Sequence, residues 1–258
     1  MTIKMMSQPA QMMQTCPLCS QKQPIYVRGM VKNLEDSSTT VIVPDRGYSF
    51  CNCHNIFFTN WANIQQSIYN EDYKANYISD YLKSFYDKYR EIYFPIFSEL
   101  NPHGSTFLDV GCINPYMLEV AEEYGWEATG LDIMDHKVDN IITGSFEDIN
   151  PDEFGRYDFI WLSHVFEHFK DPEKAVWVLN EILNEEGIAF IAMPDTFAID
   201  WEHIYNWGHW HVNEHHILWD MVSFIKFMED RGFSCKFRKR NASGLFICNG
   251  DFHLVFQK

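Results

Sequence analysis

From residue 105 onward, short apolar runs alternate with stretches whose apolar residues recur every three or four positions. The runs TFLDV, EATGLDI, DNIIT, YDFIWLS and GIAFIAMP read as five successive strands. Between the first two, Tyr116, Val120 and Tyr124 step by four, as one face of a helix requires. DPEKAVWVLNEIL predicts a helix that begins after Asp171 with Pro172 at its first position. WDMVSFIKFMEDRGF predicts another, closed by Gly232. FSCKFRKR, LFIC and DFHLVFQK read as terminal strands, with Asn249-Gly250 as a hairpin turn. Such alternation implies a mostly parallel sheet with helices on both faces, an α/β architecture. Upstream, residues 63–100 read as helical: Tyr81, Phe85, Tyr89 and Tyr93 form one apolar stripe, the pattern of a helix packed on a core. Asn101-Pro102-His103-Gly104 ends that segment.

Composition narrows the partners. Hydrophobic residues make up 46% of the 258, enough for a real core. The formal net charge of −16 repels nucleic-acid phosphates and anionic membranes, so neither is expected as a partner. The basic run Lys236, Arg238, Lys239 and Arg240 reads as a solvated strand edge. Residues 1–15 lack the apolar core of a signal peptide and read as a flexible tail, and no membrane span is visible. Seven cysteines without such a leader suggest a reducing, cytoplasmic setting, where thiols serve metals or cores.

The segment FLDVGCINPYMLEVAEEYGWEATGLD, residues 107–132, carries the sharpest chemistry. A strand ends at a carboxylate and a glycine, a helix follows, and a second strand ends at Asp132. That is the front half of a βαβ unit able to hold a nucleoside, with an acid placed to bind ribose. Here the chain resembles class I S-adenosylmethionine (SAM)-dependent methyltransferases, whose pattern is roughly D-x-G-x-G-x-G followed by an acid some 20 residues on. Asp109, Gly111 and Asp132 fit; Ile113 and Pro115 stand where the second and third glycines usually are. Asn114-Pro115 also reads as an N-cap and a first helical proline. DFIWLSHVFEHFKDP, residues 158–172, resembles a run that follows the fourth strand in many members. The resemblance implies a Rossmann-like fold, a mostly parallel seven-stranded sheet with one antiparallel strand, and SAM as cofactor. It implies a cofactor set of Tyr77, Asp109, Gly111, Cys112, Asp132, Ile133, Ser145, Phe146 and Ser163. Tyr73 and Tyr77 resemble a Y-x-x-x-Y pair that leads into the pocket; helix packing explains them equally well. Ser145 replaces the usual acid of the adenine-contacting segment. Cys112, Cys235 and Cys248 sit in apolar or strand contexts and read as buried packing.

Cys16-Pro-Leu-Cys19 is a metal knuckle, and Cys51-Asn-Cys53-His54 is a second cluster. Together they resemble the small zinc ribbon that precedes some bacterial methyltransferase domains. Alignment on the following IFFTN favours Cys16, Cys19, Cys51 and His54 as ligands of a structural zinc, with Cys53 as the rival for the fourth position. The organisation expected is therefore a tail (1–15), a zinc-binding module (16–62), a helical linker or lid (63–104) and the methyltransferase domain (105–258).

Seven of the eleven histidines lie between 164 and 216. His164, Glu167 and His168 share one face of a helical turn. They read as a base or polar clamp at the pocket mouth, or as a metal site, since a similarly spaced triad binds metal in some quinone-pathway methyltransferases, which usually have an acid where His164 stands. His168 can equally serve the loop's shape. Residues 195–220 hold four tryptophans and five histidines, and the family uses this segment to cover the acceptor. His164, His168, His215 and His216 are the base candidates. A histidine base suits a hydroxyl acceptor, so O-methylation of a small metabolite is expected, a sugar or nucleotide sugar by family association. Sugar C-methyltransferases with the same ribbon usually carry a further C-terminal domain, so a chain ending at 258 points away from that activity. The alternative is a non-catalytic binding or scaffold protein with a degenerate SAM pocket. The sequence is silent on oligomeric state.

Overall fold

The computed structural model describes residues 13–32, 40–60, 80–203, 207, 209–212, 214–241 and 250–258. In chain order the strands are β1 (Met13–Thr15), β2 (Lys22–Lys32), β3 (Thr40–Cys51), β4 (Ile56–Phe58), β5 (Thr106–Val110), β6 (Glu127–Asp132), β7 (Ile141–Thr143), β8 (Tyr157–Ser163), β9 (Leu183–Pro194), β10 (Ile217–Trp219), β11 (Ser234–Asn241) and β12 (Asp251–Gln257). The helices are α1 (Asp80–Leu100), α2 (Tyr116–Glu123), α3 (Pro151–Phe154), α4 (Pro172–Ile182) and α5 (Met221–Glu229).

Seven strands form one sheet in the order β11-β12-β9-β8-β5-β6-β7. β5 pairs parallel with β6 and β8, β6 with β7, and β8 with β9, while β12 runs antiparallel to β9. This is a Rossmann-like, doubly wound arrangement of the kind the resemblance implies. From β5 the chain proceeds outward to β6 and β7, then returns to place β8 on the other side of β5. That reversal opens a crevice at the carboxyl ends of the parallel strands, where ligands of such sheets bind.

Strand alternation assigns the two faces. Phe107, Phe159 and Trp161 join the core under α1 and α2, with Tyr89, Tyr93, Phe94 and Phe97 from α1. Leu108, Val110, Ile160 and Leu162 face the opposite core, with Val176 and Leu179 of α4 and Phe224 of α5. Trp161 stacks on Phe190 at 3.7 Å between ring centroids. The Tyr89–Tyr93 part of the predicted stripe is thus buried packing; the side chains of Tyr81 and Phe85 lie outside the described ones.

Local expectations need two adjustments. Residues 13–15, counted with the tail, pair with Lys22–Pro24 as β1. Pro115 sits at the N-cap of α2 rather than at its first turn; Asn114 Oδ1 accepts the Tyr116 N–H at 3.0 Å from one residue earlier. Of the expected Asn249-Gly250 turn, Asn249 lies outside the described residues, as does LFIC; β12 itself is flanked by β9 and β11. By contrast Pro172 opens α4 as expected, with Asp171 accepting the Lys174 N–H at 3.0 Å.

The N-terminal strands form a second, antiparallel sheet, β1-β2-β3-β4-β10, whose last member comes from far along the chain. Ile217–Trp219 pair with Ile56–Phe58, so the segment after the tryptophan-rich stretch stitches this sheet to the main body. Among the described residues no helix is long and apolar enough to cross a membrane. Of the basic run on β11, Arg240 is not merely solvated: it pairs with buried Asp195 and its guanidinium lies 4.3 Å from the Phe197 ring centre.

Candidate active site

The turn after β5 is built by backbone needs. Gly111 has φ +70°, and a Cβ there would stand 2.6 Å from Val165 Cγ2, so only glycine fits. Its N–H donates to the Leu131 carbonyl at 2.7 Å, tying the turn to the end of β6. Ile113 also has positive φ, +30°, a conformation that a β-branched side chain strongly resists. A bond from the Asn114 N–H to the Cys112 carbonyl closes the turn around it. The physical reason glycine is usual at this position is thus visible in the backbone itself.

Asp132, buried at the end of β6, holds this turn. Its Oδ2 accepts the Ile113 N–H at 2.9 Å and its Oδ1 the Met134 N–H at 2.8 Å. His136 Nε2 lies 3.6 Å from the same Oδ2. Asp109 is buried on β5; burial first, and the Asp132 charge second, push its carboxyl well above the ordinary range. Cys112 is buried beneath the turn, its Sγ 2.8 Å from where a Cβ on Gly130 would stand. Ile133 is 40% exposed beside the acid, Ser145 precedes a short helical turn, and Phe146 is buried, stacked on Phe169 at 5.3 Å. Ser163 ends β8 at the mouth of the crevice. Tyr73 and Tyr77 lie outside the described residues. Sequence reasoning missed Tyr86 of α1, which interacts with Asn114 and Asp109 and whose hydroxyl is pushed up by burial and then by the Asp109 charge. It also missed His136; its place four residues after the acid was the available hint.

The four base candidates diverge. His164 follows β8 with φ +56°, its side chain 30% exposed. Its Nδ1 is 3.4 Å from Glu167 Oε1 and its Nε2 3.4 Å from Asp251 Oδ2. Asp251, at the start of β12, gave no sequence-level sign of this role. Burial pushes the Glu167 carboxyl up, but the His164 imidazole beside it and the fields of His168 and His215 outweigh it and hold the group at about 2. His168 donates from Nδ1 to the Glu214 carbonyl at 2.9 Å. His215 and His216 are buried, and desolvation followed by the His168 charge holds each down to about 4. They are therefore neutral and weakly basic near pH 7.

In the N-terminal sheet, ligand atoms of Cys16, Cys19, Cys51 and His54 all lie within 4.8 Å of one another. Cys19 Sγ is 3.7 Å from Cys51 Sγ, and Cys51 Sγ is 3.5 Å from His54 Nδ1. Thiolates on a tetrahedral zinc stand about 3.8 Å apart, and a thiolate and an imidazole about 3.5 Å. The donor set and spacing therefore fit zinc. Cys53 is exposed, its thiol 3.6 Å from Gln21 Oε1.

Comparison with known proteins agrees with this geometry. A SAM-dependent methyltransferase from Clostridium acetobutylicum ATCC 824 superposes with a TM-score of 0.55 at 10% identity, over 73% of this chain and 99% of that one. The plantazolicin methyltransferase BpumL, solved with S-adenosylhomocysteine (SAH), gives 0.55 at 15% identity, over 76% and 93%. The PH0226 protein from Pyrococcus horikoshii OT3 gives 0.51 at 14%, over 73% and 98%. No curated protein is significantly similar in sequence. Residues 81–236, more than half of the chain, match the family described as a methyltransferase domain. The chain therefore belongs to that family, as a SAM-dependent methyltransferase of the class I fold.

Proposed function

We propose that the chain methylates a hydroxyl of a small molecule, such as a sugar or nucleotide sugar, with His164 as the general base. The observation that carries this reading is His164 itself, more exposed than His215 and His216 and lodged between two buried carboxylates. When bound, SAM supplies an electrophilic methyl group on a sulfonium.

The turn residues fit that cofactor. Each Asp132 oxygen holds one backbone N–H and keeps lone-pair capacity for a ribose hydroxyl. Gly111 keeps the turn free of a side chain, Cys112 shapes its floor, and Ile133 offers an apolar surface beside the acid. Ser145, Phe146 and Ser163 border the crevice, with Asp109 supporting the turn from β5. On the other side, His164 takes the acceptor proton while Glu167 and Asp251 orient its ring and stabilise the imidazolium that forms. His215 and His216 are too weakly basic for this task, and the His168 ring is anchored to the loop.

Replacing His164 by Gln should lower kcat by roughly 10²- to 10⁴-fold while leaving SAH affinity within a few-fold. An acceptor screen should include hydroxylated sugars, nucleotide sugars, amines and small peptides. Turnover confined to amines, or undiminished in the variant, would overturn the hydroxyl-and-base reading.

We further propose that Cys16, Cys19, Cys51 and His54 hold a structural zinc. With all four positions filled by protein, the ion would cross-link β3 to the β1–β2 turn rather than meet substrate. Cys19→Ser should cost the chain one equivalent of zinc; unchanged metal content would refute the assignment.

A further inference from the structure

We infer that Glu167, His168 and His215 form a second metal site, for a divalent transition ion of the zinc class. Ligand atoms of these three side chains lie within 4.8 Å of one another. Glu167 is 1% exposed, and among the described residues neither of its oxygens receives a hydrogen bond. A buried carboxylate without a donor is an expensive arrangement that a cation would relieve.

The histidines are held in the tautomer a metal needs. His168 Nδ1 lies 2.9 Å from the Glu214 carbonyl, and His215 Nδ1 lies 2.9 Å from the His209 carbonyl. A carbonyl can only accept, so each Nδ1 carries the ring proton and each Nε2 carries the lone pair. Metal-bound histidines are fixed by outer partners in this way. The two rings meet edge to face, 4.9 Å between centroids.

The frame is assembled from distant segments and pinned by backbone. Glu167 and His168 follow β8, whereas His215 precedes β10. The His216 N–H donates to the Glu167 carbonyl at 2.7 Å, and the Tyr48 hydroxyl donates to the His215 carbonyl at 2.8 Å. The set differs from the sequence triad of His164, Glu167 and His168: His164 is turned between Glu167 and Asp251, and the second nitrogen comes from a loop that no local spacing could reveal. Two imidazoles and one carboxylate leave coordination positions open, unlike the four-ligand cysteine cluster.

The test is metal content. Equilibrated with zinc and freed of excess, the full chain should carry one more equivalent than either Glu167→Gln or His215→Asn, with both variants retaining SAH binding as proof of folding. Equal metal content in the wild type and both variants would overturn the site. Should the variants fail to fold, cobalt-loaded wild type decides: a second equivalent with visible bands but no added thiolate charge transfer is expected, and cobalt bound only through thiolates would overturn the proposal.

Discussion

The two sides of the crevice treat their carboxylates in opposite ways. On the proposed donor side, Asp132 receives a backbone N–H on each oxygen. On the proposed acceptor side, Glu167 and Asp251 are equally buried, yet no hydrogen bond reaches their oxygens among the described residues; the His164 nitrogens stand 3.4 Å from one oxygen of each. The donor site is thus prebuilt from main chain and holds its shape regardless of ligand. The proposed acceptor site is built from side chains, its carboxylates facing imidazoles instead of main-chain donors. A protein that uses one cofactor and must tune itself to one acceptor has reason for that division.

The contrast can be strained by pH first. His253, buried on the same face of β12 as Asp251, bonds to the Tyr93 hydroxyl, and burial followed by the His164 charge holds it down to about 3. The unfolded chain binds a proton there near pH 6.5; the folded one refuses it until about 3. Stability should therefore fall as pH drops through that window, by roughly 5 kcal/mol from this group at most. Chemical unfolding at a series of pH values should show a shallower slope in His253→Phe than in the wild type. An unchanged slope would remove His253 from the account.

Asp132→Ala should weaken SAH binding by roughly 10- to 100-fold and lower stability by about 2 kcal/mol, since it strands the Ile113 and Met134 N–H groups. Calorimetry and denaturant titration measure the two losses separately. Asp251→Asn should do the reverse, raising stability by about 1 kcal/mol as an uncompensated charge disappears, while lowering turnover. If it destabilises as Asp132→Ala does, the distinction between the two sides fails. The smallest effect belongs to Ile113→Gly, which relieves positive φ at a β-branched residue; a gain of about 1 kcal/mol, with SAH affinity equal or tighter, is expected. Loss of SAH affinity would mean that the isoleucine side chain itself contributes to the pocket.

Much of this was legible because it is local. The five parallel strands, the Asp171-Pro172 helix start, Gly111 and Asp132 all follow from period, capping chemistry and backbone freedom within a few residues. Errors arose where a neighbour in space decides. Met13–Thr15, read as tail, become a strand because Lys22–Pro24 fold back beside them. The histidines could be counted but not ranked: exposure, not sequence, separates His164 from His215 and His216.

The N-terminal strands make the same point at larger scale. Their cysteine pairs are spaced so that a knuckle can be read directly, yet the sheet they belong to is completed by Ile217–Trp219, which sequence alone gives no reason to bring there. By itself, then, the sequence determined the order of elements, the methyltransferase family, and the residues whose chemistry a short stretch of backbone can fix. Only the tertiary structure decided which side chains share a site, setting Asp251 beside His164, His215 beside Glu167 and β10 beside β4, because burial and electrostatic partnership depend on distances in space that chain separation does not encode.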